Sequence, residues 1–165
     1  MSRRPSARMR LVEQTGRRAR AWSWFCGYCG AQPADERPSP FTRVCEECGL
    51  GLLLETPTGA APHRGEPYFV VDRELLVRAV SKSAERELQV REPDIVGQPV
   101  DEVLPLSAQR RRLELAIRRA AAGDDQVRHA LVRVGAGLRC RARVSCCGPP
   151  AAALVVLEPW DEPAN

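Results

Sequence analysis

Leu138-Arg139-Cys140-Arg141-Ala142-Arg143-Val144-Ser145-Cys146 alternates small or apolar residues with polar ones at every step. Successive side chains of a β-strand leave opposite faces. This stretch therefore puts Leu138, Cys140, Ala142, Val144 and Cys146 on one face, and Arg139, Arg141, Arg143 and Ser145 on the other. The apolar set is expected to face a core and the arginine set solvent. Cys147 falls on the arginine side and is expected to be exposed. Gly135-Ala136-Gly137 separates this strand from a β-prone run at 126–134, and the apolar run 151–157 follows it, so three successive strands are predicted.

Upstream, Leu113, Ala116, Ile117 and Ala120 recur at helical spacing, which predicts a long helix from about Ser107 to Ala122 with Gly123 as its stop. Earlier still, Tyr68-Phe69-Val70-Val71 and Leu75-Leu76-Val77-Arg78-Ala79-Val80 are β-prone runs joined through Asp72-Arg73-Glu74, the pattern of a strand pair. Ser81 is placed to cap a helix whose buried stripe is Val80, Ala84 and Leu88 and whose end is marked by Pro93. Strand, strand, short helices, long helix and three strands predict an antiparallel sheet with helices on one face.

The front of the chain has a different character. Cys26-x2-Cys29 and Cys45-x2-Cys48 are separated by fifteen residues, the spacing of four-cysteine zinc sites. Two intervening residues let a tight turn aim both thiolates at one ion, and four sulfurs at ~2.3 Å close a tetrahedral site with no position for water. Gly30 and Gly49 follow the two pairs, where such a turn needs positive φ or close backbone approach. Trp22, Trp24, Phe25, Tyr28 and Phe41 are five of the eight aromatic residues, in a segment too short to build a core unaided. Metal ligation supplies on the order of 10 kcal/mol of folding free energy in such modules. A redox dithiol is the rival for Cys26-Gly27-Tyr28-Cys29, but it belongs between a strand and a helix of a βαβ unit. Disulfides are disfavoured in a reducing compartment.

Composition fills in the remainder. Hydrophobic residues make up 44% and charged ones 28%, as in globular proteins. The net charge of +4 is unevenly placed: residues 1–20 hold seven arginines against Glu13, a net +6, which leaves −2 for the rest. Such an arm either meets nucleic acid through counterion release or is simply a solvated terminus. No run of ~18 apolar residues and no secretory signal core is present, so no membrane association and a cytoplasmic location are expected. The expected organisation is a basic, disordered arm at 1–20, a cysteine module at 21–55, an exposed linker at 56–66, an α/β domain at 67–160 and a tail at 161–165.

The paired turns Cys26-Gly27-Tyr28-Cys29-Gly30 and Cys45-Glu46-Glu47-Cys48-Gly49-Leu50-Gly51 resemble the knuckles of the zinc-ribbon family. The downstream element order is similar to that of the PAS family of sensor domains. Phe69-Val70-Val71-Asp72 resembles its opening strand, Val77-Arg78-Ala79-Val80-Ser81-Lys82-Ser83-Ala84-Glu85 its second strand and following helix, and Ile95-Val96-Gly97-Gln98-Pro99-Val100 its glycine-centred turn. Where the family usually has Asn, this chain has Ser81. Together the resemblances imply an α+β protein, a small four-cysteine zinc ribbon joined to a PAS-like five-stranded antiparallel sheet with helices on one face. They also imply a ligand pocket between sheet and helices, a dimer or signalling partner, and a sheet face used for dimerisation.

Two chemistries of that family lack their residues. No cysteine lies between Ser81 and Gly123 for flavin photochemistry, and no histidine lies at 107–122 for haem. His129 on a strand is expected at the surface. Cys140, Ala142, Val144 and Cys146 are candidate pocket lining, or ordinary small core residues. Arg110, Arg111, Arg118, Arg139, Arg141 and Arg143 are a candidate basic surface, or a solvated one.

No Ser-His-Asp set, phosphate-cradling loop or open metal site is legible, so no enzyme is indicated. The function expected is a sensory or regulatory signalling protein with structural Zn2+ and a small-molecule ligand of unspecified kind. The alternatives are a nucleic-acid-binding transcriptional regulator using ribbon and arm, and a redox-sensitive zinc switch.

Overall fold

Tyr68-Phe69-Val70-Val71 and the run at 152–157 are apolar at every position, and a strand keeps both faces apolar only where both are covered. A computed structural model describes residues 21–33, 43–104, 109–134 and 138–160. In it these runs are interior strands of a five-stranded antiparallel sheet, with helices on one face and the cysteine module on the other.

The module is a hairpin of β1 (Trp22–Cys26) and β2 (Leu53–Pro57), paired from Trp22 opposite Pro57 to Cys26 opposite Leu53. Both cysteine turns lie between the two strands in sequence. The larger unit follows with β3 (Tyr68–Val71), β4 (Val77–Val80), α1 (Lys82–Leu88), α2 (Glu92–Ile95), α3 (Val100–Val103), α4 (Arg110–Ala121), β5 (Arg128–Val134), β6 (Leu138–Cys147) and β7 (Ala152–Pro159). Its spatial order is β4-β3-β7-β6-β5, every pairing antiparallel.

Local chemistry sets the helix ends. Ser81 Oγ accepts from the Ala84 amide at 3.1 Å and from the Tyr68 amide at 2.9 Å, capping α1 and tying it to β3. The helix stops at Leu88, with Gln89 left-handed at φ 55°, earlier than the end expected at Pro93. Pro93 instead sits in the first turn of α2, where its missing N–H is no loss. On α4, Leu113, Ala116, Ile117 and Ala120 are all buried as their spacing predicts, and Gly123 has φ 93° just beyond its end. The expected start near Ser107 and the turn at 135–137 lie outside the described residues.

The inner layer joins Phe69, Val71, Val80, Ala84, Val100, Leu113, Ile117, Val144 and Val155 in one core. On the outer face Tyr68, Val70, Cys147, Ala152, Leu154 and Val156 pack against Phe25 and Leu54 of the module. The expectation that Cys147 is exposed is corrected: it is 5% exposed because the module lies over it.

The segment 56–66 is not an exposed linker over its first half. Thr56, Ala60 and Ala61 are buried, and Thr56 Oγ1 donates to the Cys146 carbonyl at 2.8 Å. Among the described residues, no helix is long and apolar enough to cross a membrane.

Candidate metal centre

Cys26 ends β1, and the chain then turns so that the Gly30 amide donates to the Cys26 carbonyl at 3.1 Å. The second turn repeats this, with the Gly49 amide donating to the Cys45 carbonyl at 2.8 Å. Gly30 and Gly49 have φ of 74° and 66°, the left-handed conformation a side chain would strain. The Gly27 amide donates to the Leu52 carbonyl and ties the first turn to the second, and the Cys45 amide donates to the Gly51 carbonyl and closes the second turn on itself, both at 2.8 Å.

This brings all four sulfurs within 4.8 Å of one another. Cys26 Sγ lies 3.7 Å from Cys48 Sγ, and Cys29 Sγ 3.8 Å from Cys45 Sγ. A tetrahedron of sulfurs at ~2.3 Å from a central ion has edges of about 3.8 Å, so the four cysteines are spaced to bind a metal ion. They are far from disulfide contact at ~2.05 Å. Backbone amides also point at sulfur: those of Tyr28 and Cys29 at Cys26 Sγ and that of Gly51 at Cys48 Sγ, each at 3.4 Å.

Burial pushes the Cys26 and Cys29 thiols up. Burial opposes ionisation of Cys48 too, but the Gly51 and Leu50 amides and the neighbouring thiols outweigh it and bring Cys48 down to about 7. Thiols that burial keeps protonated become good ligands once a cation supplies the opposing charge.

Three residues support the centre that sequence reasoning did not single out. A Cβ on Gly51 would overlap Cys26 Sγ and lie 2.8 Å from Tyr28 Cβ, so the second turn closes over the first only with glycine there. Tyr68, buried on the outer face of β3, donates its hydroxyl to the Cys26 carbonyl and meets the Phe25 ring edge-on, centroids 5.7 Å apart at 86°. Burial and the adjacent Cys26 push the Tyr68 phenol up, keeping it a donor. The third is Lys82, whose amide at the first position of α1 donates to the Tyr28 carbonyl at 2.8 Å. The first turn thus bonds to the large sheet and to a helix start. Its companion, β2, bonds to the end of β6, Glu55 and Gly148 exchanging amide–carbonyl bonds at 2.6 and 3.0 Å.

The other candidate residues are dispersed. Cys140, Ala142 and Val144 pack in the inner core with Leu113 and Ile117, and Cys146 is buried on the same face. Cys140 also reaches a cleft of about 700 Å³ at the sheet margin, shared with Leu88, Leu157 and Trp160. His129 is exposed.

The six arginines do not form one surface, because α4 covers the inner face while 139, 141 and 143 belong to the outer one. Arg110 pairs with Asp101 and Glu114 at 2.5 and 2.7 Å, Arg111 is exposed, and Arg118 donates to the Arg73 carbonyl at 3.0 Å. Arg139 is exposed and Arg141 pairs with Glu158 at 2.6 Å. Arg143 is not at the surface: it is 7% exposed, paired with Glu158 at 2.7 Å and Glu66 at 2.9 Å. It also donates to the Gly59 and Ala61 carbonyls at 3.2 and 3.3 Å, fastening the segment 59–66 over the sheet.

Comparison with known proteins gives this fold a family. The PAS fold model matches residues 62–151, more than half of the chain. No curated protein matches it in sequence. Similar solved structures include the PAS domain of nitrogen regulation protein NR(II) from Vibrio parahaemolyticus, with 18% identity, TM-score 0.47, and coverage of 58% of this chain and 90% of that one. A PAS domain of an HTR-like protein from Haloarcula marismortui has 15% identity and TM-score 0.46, covering 56% and 84%. A domain of a sensory box sensor histidine kinase/response regulator from Geobacter sulfurreducens has 16% identity and TM-score 0.44, covering 58% and 84%. With its five-stranded sheet, helical layer and matched sequence, the chain belongs to the PAS fold family.

Proposed function

We propose that this is a sensory or regulatory signalling protein in which a zinc ribbon, residues 21–55, is clamped to the outer sheet face of the PAS module at 67–160 by one structural Zn2+. The observation that carries it is the pair of bonds from the first cysteine turn into the PAS unit, Cys26 carbonyl to Tyr68 hydroxyl and Tyr28 carbonyl to Lys82 amide. A metal that fixes the turn fixes both bonds, so metal occupancy and the packing of β3 and α1 are coupled.

The metal's contribution is to hold four thiolates in one place, and four sulfur ligands leave no site for water or substrate. The chain's own residues do the rest. Phe25 and Leu54 exclude water from Tyr68, Val70, Leu154 and Val156, and Thr56 and Glu55 register the hairpin on β6. With Phe25 and Leu54 seated there, face-to-face dimerisation through Tyr68, Leu154 and Val156 is not available.

The test is elemental analysis of natively purified protein, followed by thermal unfolding with and without a chelator. Close to one zinc per chain and a single transition that moves down on chelation support the proposal. Absence of bound metal, or a PAS transition that chelation leaves in place, would sink it.

A further inference from the structure

The hairpin does not cover the whole outer face. Between its cysteine turns and the PAS unit runs a cleft of about 890 Å³. Its floor is Leu54, Val70, Ala79 and Ala152, drawn from β2, β3, β4 and β7. Leu50 and Leu52 of the second cysteine turn form one rim, 74% and 54% exposed. Large apolar side chains left in water beside an apolar floor mark an interaction surface rather than a finished core.

Across from the leucines the rim is acidic. Asp72, Glu74, Glu85 and Glu92 line the cleft against Arg78 alone, a formal balance of −3. Asp72 and Arg78 neutralise one another at 2.5 Å, and Glu74 holds Arg73 at 2.7 Å. Among the described residues Glu85 and Glu92 have no basic partner of this kind: Glu85 accepts the Glu92 amide at 2.8 Å, and both face the Tyr28 phenol. One carboxylate from each of α1 and α2 therefore lines an apolar-floored cleft with no cation among the described residues to balance it.

We infer that this cleft is a docking site for a polypeptide segment of a partner protein that carries one or two large apolar anchors beside lysines or arginines. The anchors fill the floor between Leu50, Leu52 and Val70, and the cationic groups meet Glu85 and Glu92. Charge complementarity selects that occupant: an acidic segment, a nucleic acid or an anionic membrane would bring like charge to the rim. The site goes beyond the bracing role proposed above. It is composite, one wall being the cysteine turns and the other the PAS unit, so it exists only while the hairpin is docked.

The experiment is selection of a random twelve-residue peptide library on the full-length, zinc-loaded chain, with affinities of the enriched peptides then measured by fluorescence anisotropy. Three variants are compared: Leu50→Ser, exposed and so harmless to folding; Glu85→Gln with Glu92→Gln, which keeps the acceptor for the Glu92 amide; and deletion of residues 1–20. The expected result is enrichment of net-positive peptides with a large apolar residue. Their affinity should fall about ten-fold in the double glutamine variant and in Leu50→Ser, with a loss in high salt. Deleting residues 1–20 should leave it unchanged.

Peptides with no basic bias, or affinities indifferent to both groove variants, would overturn the proposal. So would a large gain in affinity on deleting residues 1–20, which would put the chain's own +6 arm in the cleft.

Discussion

The hydroxyl of Tyr68, on a central region of the PAS sheet, donates to the carbonyl oxygen of Cys26, the first of four cysteines gathered around one point. A residue of the larger unit thereby helps hold the cysteine turn, and a residue of the turn satisfies a phenol that burial would otherwise leave unpaired. Tyr68→Phe removes one of two donors to the Cys26 carbonyl, which keeps the Gly30 amide, so stability is expected to fall by about 0.5–1.5 kcal/mol, the net contribution of one hydrogen bond, while the ring stays packed on Phe25. It should also speed metal transfer to a competing chelator. Denaturant unfolding and a chelator-competition time course measure the two effects.

Gly51 tests the centre from the other side. A methyl group there meets Cys26 Sγ and Tyr28 Cβ, neither of which moves without opening the first turn. Gly51→Ala is expected to weaken metal affinity by at least about ten-fold. Gly59→Ala, at a position with open space around the added carbon, is the control that should leave it unchanged.

Cys147 reports whether the hairpin is seated. Burial pushes its thiol well up, and its cover is Phe25 and Leu54 rather than the helical layer that covers Cys140. A thiol both buried and protonated reacts slowly with alkylating reagents. Mass spectrometry after iodoacetamide treatment is expected to find Cys147 protected in the metal-loaded protein. On chelation it should be modified before Cys140 and Cys146.

Arg143 makes a different kind of bond between the parts. It is enclosed by Glu66 and Glu158 and by two carbonyls of the 59–66 segment, so Arg143→Ala leaves Glu66 without its cation and Glu158 with Arg141 alone. Breaking such a pair from one side costs about 3–5 kcal/mol at the buried extreme, and less here because both glutamates are partly solvated. Adding Glu66→Gln to Arg143→Ala should recover part of the loss, since the stranded charge is then gone, while Glu158 keeps Arg141. Equilibrium unfolding of the single and double variants checks it.

Much of the fold was legible because the relevant signals are local. Ser81 at a helix start, the α4 stripe ending at Gly123 and the alternation through β6 each follow from neighbouring residues. The CxxC spacings and paired glycines likewise brought the four cysteines together on paper as they are in space. What was missed is the hairpin lying on the sheet, because alternation in β6 alone assigned its second face to water. The correcting signal sat in other strands: Tyr68 and Val70 in β3, and Ala152, Leu154 and Val156 in β7, are apolar on the side expected to be wet. A polar stripe on one strand with apolar stripes on its neighbours marks a face partly covered. Arg143 and Cys147 were misplaced for the same reason, and the groove beside Glu85 and Glu92 is a product of tertiary contact that no single segment encodes.

The central claim is that metal ligation keeps the hairpin seated on the PAS sheet, and two amides read it directly. The Lys82 amide lies at the first position of α1, where no carbonyl of the helix can accept it, and its acceptor is the Tyr28 carbonyl. The Gly148 amide, at the end of β6, donates to the Glu55 carbonyl. Residue-resolved hydrogen exchange before and after metal removal should show both amides protected with metal bound and fast without it, while amides in the β6–β7 pairing stay slow. Equal protection of Lys82 and Gly148 in the two states would contradict the account.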